Sequence, residues 1–168
     1  MEMKTEHHSS LTRLENLASE KLGSKVVYAT DEFFGKKENL IKAERPISKP
    51  GVFTENGRWV DGWVTRRRRD NKHDFAIIKL GRAGVVKEIL IDTLHMDGDL
   101  PSFVSIEGHS GANFDQGFWE EILPKKSLNL SGPYVFRLEE KTICTHLRLS
   151  LYPGGGVSRL KVFGDRVQ

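Results

Sequence analysis

From Phe75 onward the sequence is a series of six short apolar-rich runs, FAIIKL, VVKEILID, SFVSIEG, YVFRLEE, THLRLSLY and VSRLKVFG, separated by turn residues. Several of them alternate cleanly. Leu147, Leu149 and Leu151 are interleaved with His146, Arg148 and Ser150, the period of two that sends successive side chains to opposite faces of a sheet. Closely spaced strands leave no room for helical crossovers, so the pattern predicts an antiparallel sandwich or barrel rather than alternating βα units, with the sandwich preferred. The predicted core is Ile77, Ile78, Leu80, Ile89, Ile91, Leu147, Leu149 and Leu160.

The half of the chain before Phe75 is less regular. Residues 1–10 read as a flexible tail, and 11–168 as one domain, the size that 168 residues support around a single core. Thr12 and Glu15 have the spacing of a capping box, Leu14, Leu17, Ala18 and Leu22 share a stripe, and Gly23 supplies a stop. These signals predict a short N-terminal helix. A short strand is expected over 26–30, and TDEFFGKKENLIK, too polar for a core strand, reads as a structured loop with a turn of helix. Pro-Gly-Gly-Gly at 153–156 reads as the turn joining the last two strands; no helix follows to make it a phosphate cradle.

Composition removes several classes of function. Mean hydropathy is −0.44, and no apolar run approaches the ~20 residues of a membrane-spanning helix. The first ten residues lack the apolar core of a secretory signal. Cys144 is the single cysteine, so no intrachain disulfide forms and a reducing cytoplasm is the expected compartment. The net charge of +3 gives a weak overall field, and Arg66 to Arg69 are flanked by Asp61, Asp70 and Asp74, so nucleic acid is not an expected partner. The six histidines show no paired ligand spacing, and no metal or other cofactor is expected.

The stretch RWVDGWVTRRRRDNKHDFAIIKL concentrates the chemistry. A polar segment leading directly into a buried strand should be a loop held at a sheet end, where ligand sites are built. Trp59 and Trp63 read as packing struts, and the four arginines, if extended, alternate sides, so at most two face one cleft. A guanidinium fork at Arg66 or Arg67 matches a carboxylate in a way that lysine does not. Asp31, Glu32, Asp61 and Asp74 place carboxylates near this loop, Asp92 closes a strand, and His146 and Arg148 lie on the polar face of theirs. An imidazole there can move protons near neutral pH. Each residue also has a plain structural reading: a solvated arginine stripe, a turn cap at Asp31 and Glu32, a hydrogen-bonded surface histidine.

TDEFFGKKENLI, RWVDGWVTRRRR, HDFAIIKLG, ILIDT, THLRLSLYPGGG and VSRLKVFG resemble, in this order, the motifs of the allantoicases, and the resemblance spans Leu17 to Gly164. It implies a mainly β jelly-roll sandwich of the galactose-binding-domain type, hydrolysis of allantoate to ureidoglycolate and urea, and self-association of a single copy of a usually tandem repeat. The chain departs from the family pattern at Val64 and Gly154, where the family usually carries acids, and at DTLHMDGD. Such a reaction needs a cation fork, an acid and a base; by their chemistry Glu32, Asp61, Asp92 and His146 are the catalytic candidates and Arg66, Arg67, Asp31, Asp74 and Arg148 the substrate-binding candidates. The competing class is a catalytically silent module of the same fold that binds a small ligand or a carbohydrate.

Overall fold

A computed structural model describes residues 14–66, 68, 70–139 and 142–167. Its spine is one strand of 19 residues, Asp74–Asp92. Counting in chain order, β1 is Glu15–Asn16, β2 Lys25–Ala29, β3 Phe53–Thr54, β4 Gly57–Arg58, β5 Trp63–Val64 and β6 this long strand. They are followed by β7 (Phe103–His109), β8 (Glu120–Ser127), β9 (Pro133–Arg137), β10 (Ile143–Tyr152), β11 (Gly156–Val157) and β12 (Arg159–Arg166). The runs FAIIKL and VVKEILID, expected as separate strands, are the two halves of β6. Gly81 and Gly84 lie at the join, pressed so close to the backbones of Leu22 and Asp165 that a Cβ at either would collide.

Each half of β6 has its own neighbours. The first pairs with β2, Val26 opposite Ile78, and with β10, Leu149 opposite Ala76; β10 continues to β7 and β7 to β8. The second half pairs with β12, Leu160 opposite Ile91, and with β9, Phe136 opposite Ile89; β12 continues to β1. All these pairings are antiparallel. The result is a five-stranded sheet, β2-β6-β10-β7-β8, and a four-stranded sheet, β9-β6-β12-β1, sharing β6. Ala76, Ile78, Leu147, Leu149, Val104 and Ile106 from the first sheet and Ile89, Ile91, Leu160, Val162 and Phe136 from the second form one buried cluster. All eight predicted core residues are at most 5% exposed. Ile77, also buried, lies off that cluster, consistent with the opposite face of β6. Cys144 is buried in β10, and burial pushes its thiol up to about 11, as packing rather than reactivity requires.

Among the described residues the expected N-terminal helix is not present. Thr12 falls outside the described residues, Glu15–Asn16 is a strand paired with Phe163 and Gly164, and only Glu20–Leu22 makes a turn of 3₁₀ helix. The edge of β12 decides this: Leu17 N–H donates to the Val162 carbonyl at 2.7 Å, and Asn16 Oδ1 accepts from Val162 N–H at 2.9 Å. Pairing with the unfilled sheet edge satisfies backbone groups while still burying Leu17 and Ala18, and overrides helix propensity. Gly23 does stop the turn, at φ 90°. Strand β8 was not among the six runs, because Pro124 and four charged residues disguise it. It sits at the end of the strand order, where a missing N–H is tolerated. No described helix is long and apolar enough to cross a membrane.

Candidate active site

Four loops meet at the end of the sandwich where β6 begins and β10 finishes. Residues 30–36 lie against 62–64 because Gly35 has no side chain: a Cβ there would collide with the Gly62 carbonyl oxygen, and Gly35 and Val64 exchange backbone hydrogen bonds at 3.1 and 3.2 Å. The 153–156 turn joins them through Thr65 N–H, which donates to the Gly155 carbonyl at 2.9 Å. The 97–99 segment is tied in by Arg58, 3.2 Å from Asp99. Trp63 is the strut the sequence suggested, fully buried, its indole N–H on the Asp31 carbonyl at 2.7 Å. Trp59 is different: it lines a cavity, with Lys49 4.5 Å from its ring centre.

That cavity, about 740 Å³, is bounded by Glu32, Phe33, Lys36, Asn39, Lys42 and Trp59 among others. Glu32 accepts from Lys37 twice, from its backbone N–H at 3.1 Å and its ammonium at 3.2 Å. The hydrogen bond to Glu38 raises the pKa of Lys37, so the cation beside Glu32 stays charged. Next to the cavity, Arg66 grips Asp31 through Nε and Nη2 at 3.1 and 2.7 Å and lies 4.7 Å over the ring of Phe33, a lining residue. Its side chain remains 63% exposed. Arg67 falls outside the described residues. Arg68 turns to Asp70 and Asp74, 2.7 and 3.2 Å away, and these bonds hold it charged and hold Asp70 well below the usual carboxylate range.

The other candidates are placed as follows. Asp74 is fully buried, with one oxygen bonded by Thr30 at 2.7 Å. Asp61 is buried behind the cavity wall, bonded by Arg159, Lys42 and the Ile47 N–H at 2.9 to 3.0 Å. Burial alone would raise its pKa; the hydrogen bonds from Arg159 and Lys42 outweigh that and hold it low. Asp92 caps the end of β6 through Leu94 N–H at 3.0 Å. His146 and Arg148 belong elsewhere, on the outer face of the five-stranded sheet. His146 is buried with His109 and Phe114, its ring centre 5.9 and 5.8 Å from theirs, and burial lowers its pKa. Arg148 pairs with Glu107 at 2.7 Å. The structure thus places Glu32 in the cavity and the Arg66–Asp31 pair next to it, over the Phe33 ring that lines it, buries Asp61 and Asp74 in the neighbouring loops, and puts His146 and Arg148 on another surface. Among the described residues no three or more His, Cys, Asp and Glu side chains converge to hold a metal.

Residues 15–167 match the model of the allantoicase repeat. The chain belongs to the allantoicase family. It is 38% identical to a probable allantoicase of Acinetobacter baylyi over 94% of this chain and 48% of that protein, and 40% identical to one of Rhizobium meliloti over 89% and 44%. It spans about half the length of the curated relatives it matches. Among solved structures it is similar to the Saccharomyces cerevisiae allantoicase, with TM-score 0.83 at 28% identity over 99% of this chain and 55% of that one. A family 32 carbohydrate-binding module from a Clostridium perfringens glycoside hydrolase shares the fold alone, with TM-score 0.65 at 15% identity over 96% and 100%. Together with the two antiparallel sheets, these likenesses make the fold a mainly β, galactose-binding-like jelly roll. Sequence reasoning missed Lys37, Lys42, Trp59 and Arg159 as parts of this end. Lys37, five residues from Glu32, was within reach of a charge-pairing argument; Arg159, 98 residues from Asp61, was not.

Proposed function

We propose that this allantoicase-family chain hydrolyses allantoate to ureidoglycolate and urea in purine degradation, with its site at the Glu32 cavity. The supporting observation is a carboxylate-bearing cavity with an unburied guanidinium next to it, over the ring of its lining residue Phe33. Arg66 uses Nε and Nη2 on Asp31 and, among the described residues, has no partner on Nη1. The volume falls within the ~300–1,000 Å³ of small-ligand sites. In this reading Arg66 holds the substrate carboxylate while Glu32, with Lys37 beside it, moves the proton. Water oxygen bonds to the carbon bearing the two ureido groups, one C–N bond breaks, and the leaving nitrogen takes a proton to depart as urea. Asp61, Asp74 and Asp92 hold the loops that present these groups.

Val64 and Gly154 favour a second reading. Val64 is 1% exposed, and a Cβ on Gly154 would lie 2.8 Å from Asp74 Oδ2 and 2.7 Å from Thr65 Oγ1. No carboxylate stands at either place, so a module that binds the ureido acid without cleaving it is the alternative. Urea release from allantoate by the purified chain separates the two. Turnover that disappears in Glu32→Gln supports the enzyme; allantoate binding without urea supports the module; neither turnover nor binding removes both. The same reading expects association with a second copy, since the relatives are about twice as long. Sedimentation as a monomer at high micromolar concentration would overturn that part.

A further inference from the structure

The outer face of the five-stranded sheet carries a built polar site that the loop-end reading does not use. Arg148 projects from β10 between two aromatic rings, its guanidinium carbon 4.5 Å from the Trp119 ring centre and 5.4 Å from that of Phe75. Glu107, opposite it on β7, receives Nε and Nη2 through a single oxygen, Oε1, at 2.7 Å. Among the described residues Arg148 Nη1 and Glu107 Oε2 have no partner. Both side chains are partly open, 24% and 29% exposed. Arg148 lines a depression of about 310 Å³ with Tyr28, Phe75, Ile77, Phe114, Asp115 and Trp119, and Glu107, its partner, stands next to that depression. It shares no lining residue with the Glu32 cavity.

A salt bridge joined through one oxygen and one edge presents, side by side, an N–H donor and a carboxylate acceptor. Its net charge is zero, which decides what it can hold. An anion meets Glu107 and Asp115; a cation meets Arg148, and Lys125, 4.1 Å from the Tyr152 ring, stands on the same face. A neutral planar group with a carbonyl next to an N–H answers both partners at once, its oxygen on Arg148 and its nitrogen on Glu107. Aromatic walls suit the flat faces of such a group.

We propose that the Arg148–Glu107 pair is a second ligand site, selective for neutral carboxamide or ureido groups over carboxylates and ammonium ions. It is independent of turnover at the Glu32 cavity. The test uses Trp119 fluorescence as reporter, with benzamide as probe and benzoate and benzylammonium as charged controls. Benzamide should change the emission saturably and bind at least ~10-fold more tightly than either control, the scale of one charge-assisted hydrogen bond. Glu107→Gln, which keeps the shape, and Arg148→Lys, which keeps the charge, should each weaken benzamide ~10-fold. Arg66→Lys should leave it unchanged, and Trp119→Phe should remove the signal. Equal binding of benzoate and benzamide, or indifference to Glu107→Gln in a protein with unaltered near-ultraviolet circular dichroism, overturns the proposal. Absence of urea release, by contrast, touches only the loop-end reading.

Discussion

Two arginine–aspartate pairs stand at the same end of this sandwich and have opposite characters. Arg159 and Asp61 are 3% and 4% exposed in their side chains. Arg159 is spent on the carbonyls of Asn39, Glu44, Asp61 and Ser158 as well as on the Asp61 carboxylate, at 2.7 to 3.1 Å. Asp61 in turn accepts from Lys42 and Ile47. Nothing is left over for a ligand. Arg66 and Asp31 form a comparable fork, but the arginine is 63% exposed and, among the described residues, one of its nitrogens has no partner. The chemistry of the two pairs is the same; saturation and burial make the first a rivet and leave the second available.

Breaking the rivet should produce the largest effect. Asp61→Ala leaves the Arg159 guanidinium buried without its counter-ion, a change of ~3–5 kcal/mol in well-characterised buried pairs. Urea or guanidinium denaturation followed by circular dichroism measures it. A loss comparable to that of an exposed pair would mean that Asp61 is not structural. In the core, Ile78→Ala should cost ~2–4 kcal/mol through lost burial and a residual cavity, since Ile78 is fully buried where β6 packs against β2 and β10. A change under ~0.5 kcal/mol, the range of ordinary surface sites, would place β6 at the periphery.

The contrast also shows what the sequence reveals and what it conceals. Short apolar runs, several of them alternating with period two, exposed β6, β7, β9, β10 and β12 and all eight chosen core positions, because they are a local signal that sheet packing reinforces. It could not show that FAIIKL and VVKEILID are one strand passing between two sheets; that depends on Gly81 and Gly84 meeting distant backbone. The helix signals around Glu15 and Gly23 were locally valid and lost to the open edge of β12. Charge and guanidinium geometry proposed Asp31, Glu32 and Arg66, which the fold brings near one another. Asp61 looked equivalent to them because its defining partner, Arg159, is far along the chain, and His146 and Arg148 were grouped with the loop end although their strand carries them onto another face.

The exposed pair should behave in the reverse manner. Arg66→Lys should change stability by no more than ~1 kcal/mol, the usual worth of a surface ion pair. In the proposed reaction it should lower kcat/KM for allantoate by ~1–3 kcal/mol, because lysine keeps the charge and loses the fork. Denaturation and urea-release kinetics on the same preparations give both numbers. A variant that loses stability while keeping turnover would exchange the roles assigned to the two pairs.

Acid provides the finest discrimination, because buried groups titrate in separate windows. Burial lowers His146, with the charges of His109 and Lys79 adding to the effect, so the folded imidazole takes up its proton below the ordinary value of 6.5. Between the two values the unfolded chain binds more protons, so stability rises with pH and falls as pH drops through 6.5 toward the folded pKa. His73, also lowered by burial, contributes with the same sign. Asp61 is lowered as well, but its ordinary value is 3.8. Its contribution is complete above that pH and is lost only as the solution falls through the folded value. Unfolding free energies measured from about pH 7.5 down to pH 3 should therefore decline in two steps. His146→Gln should flatten part of the first step and leave the second. A first step that survives substitution of both His146 and His73 would show that the proton is taken up elsewhere, and a second step left undiminished by Asp61→Asn, beyond what Asp70 contributes in the same window, would deny the Asp61 carboxylate its part in holding the loop end together.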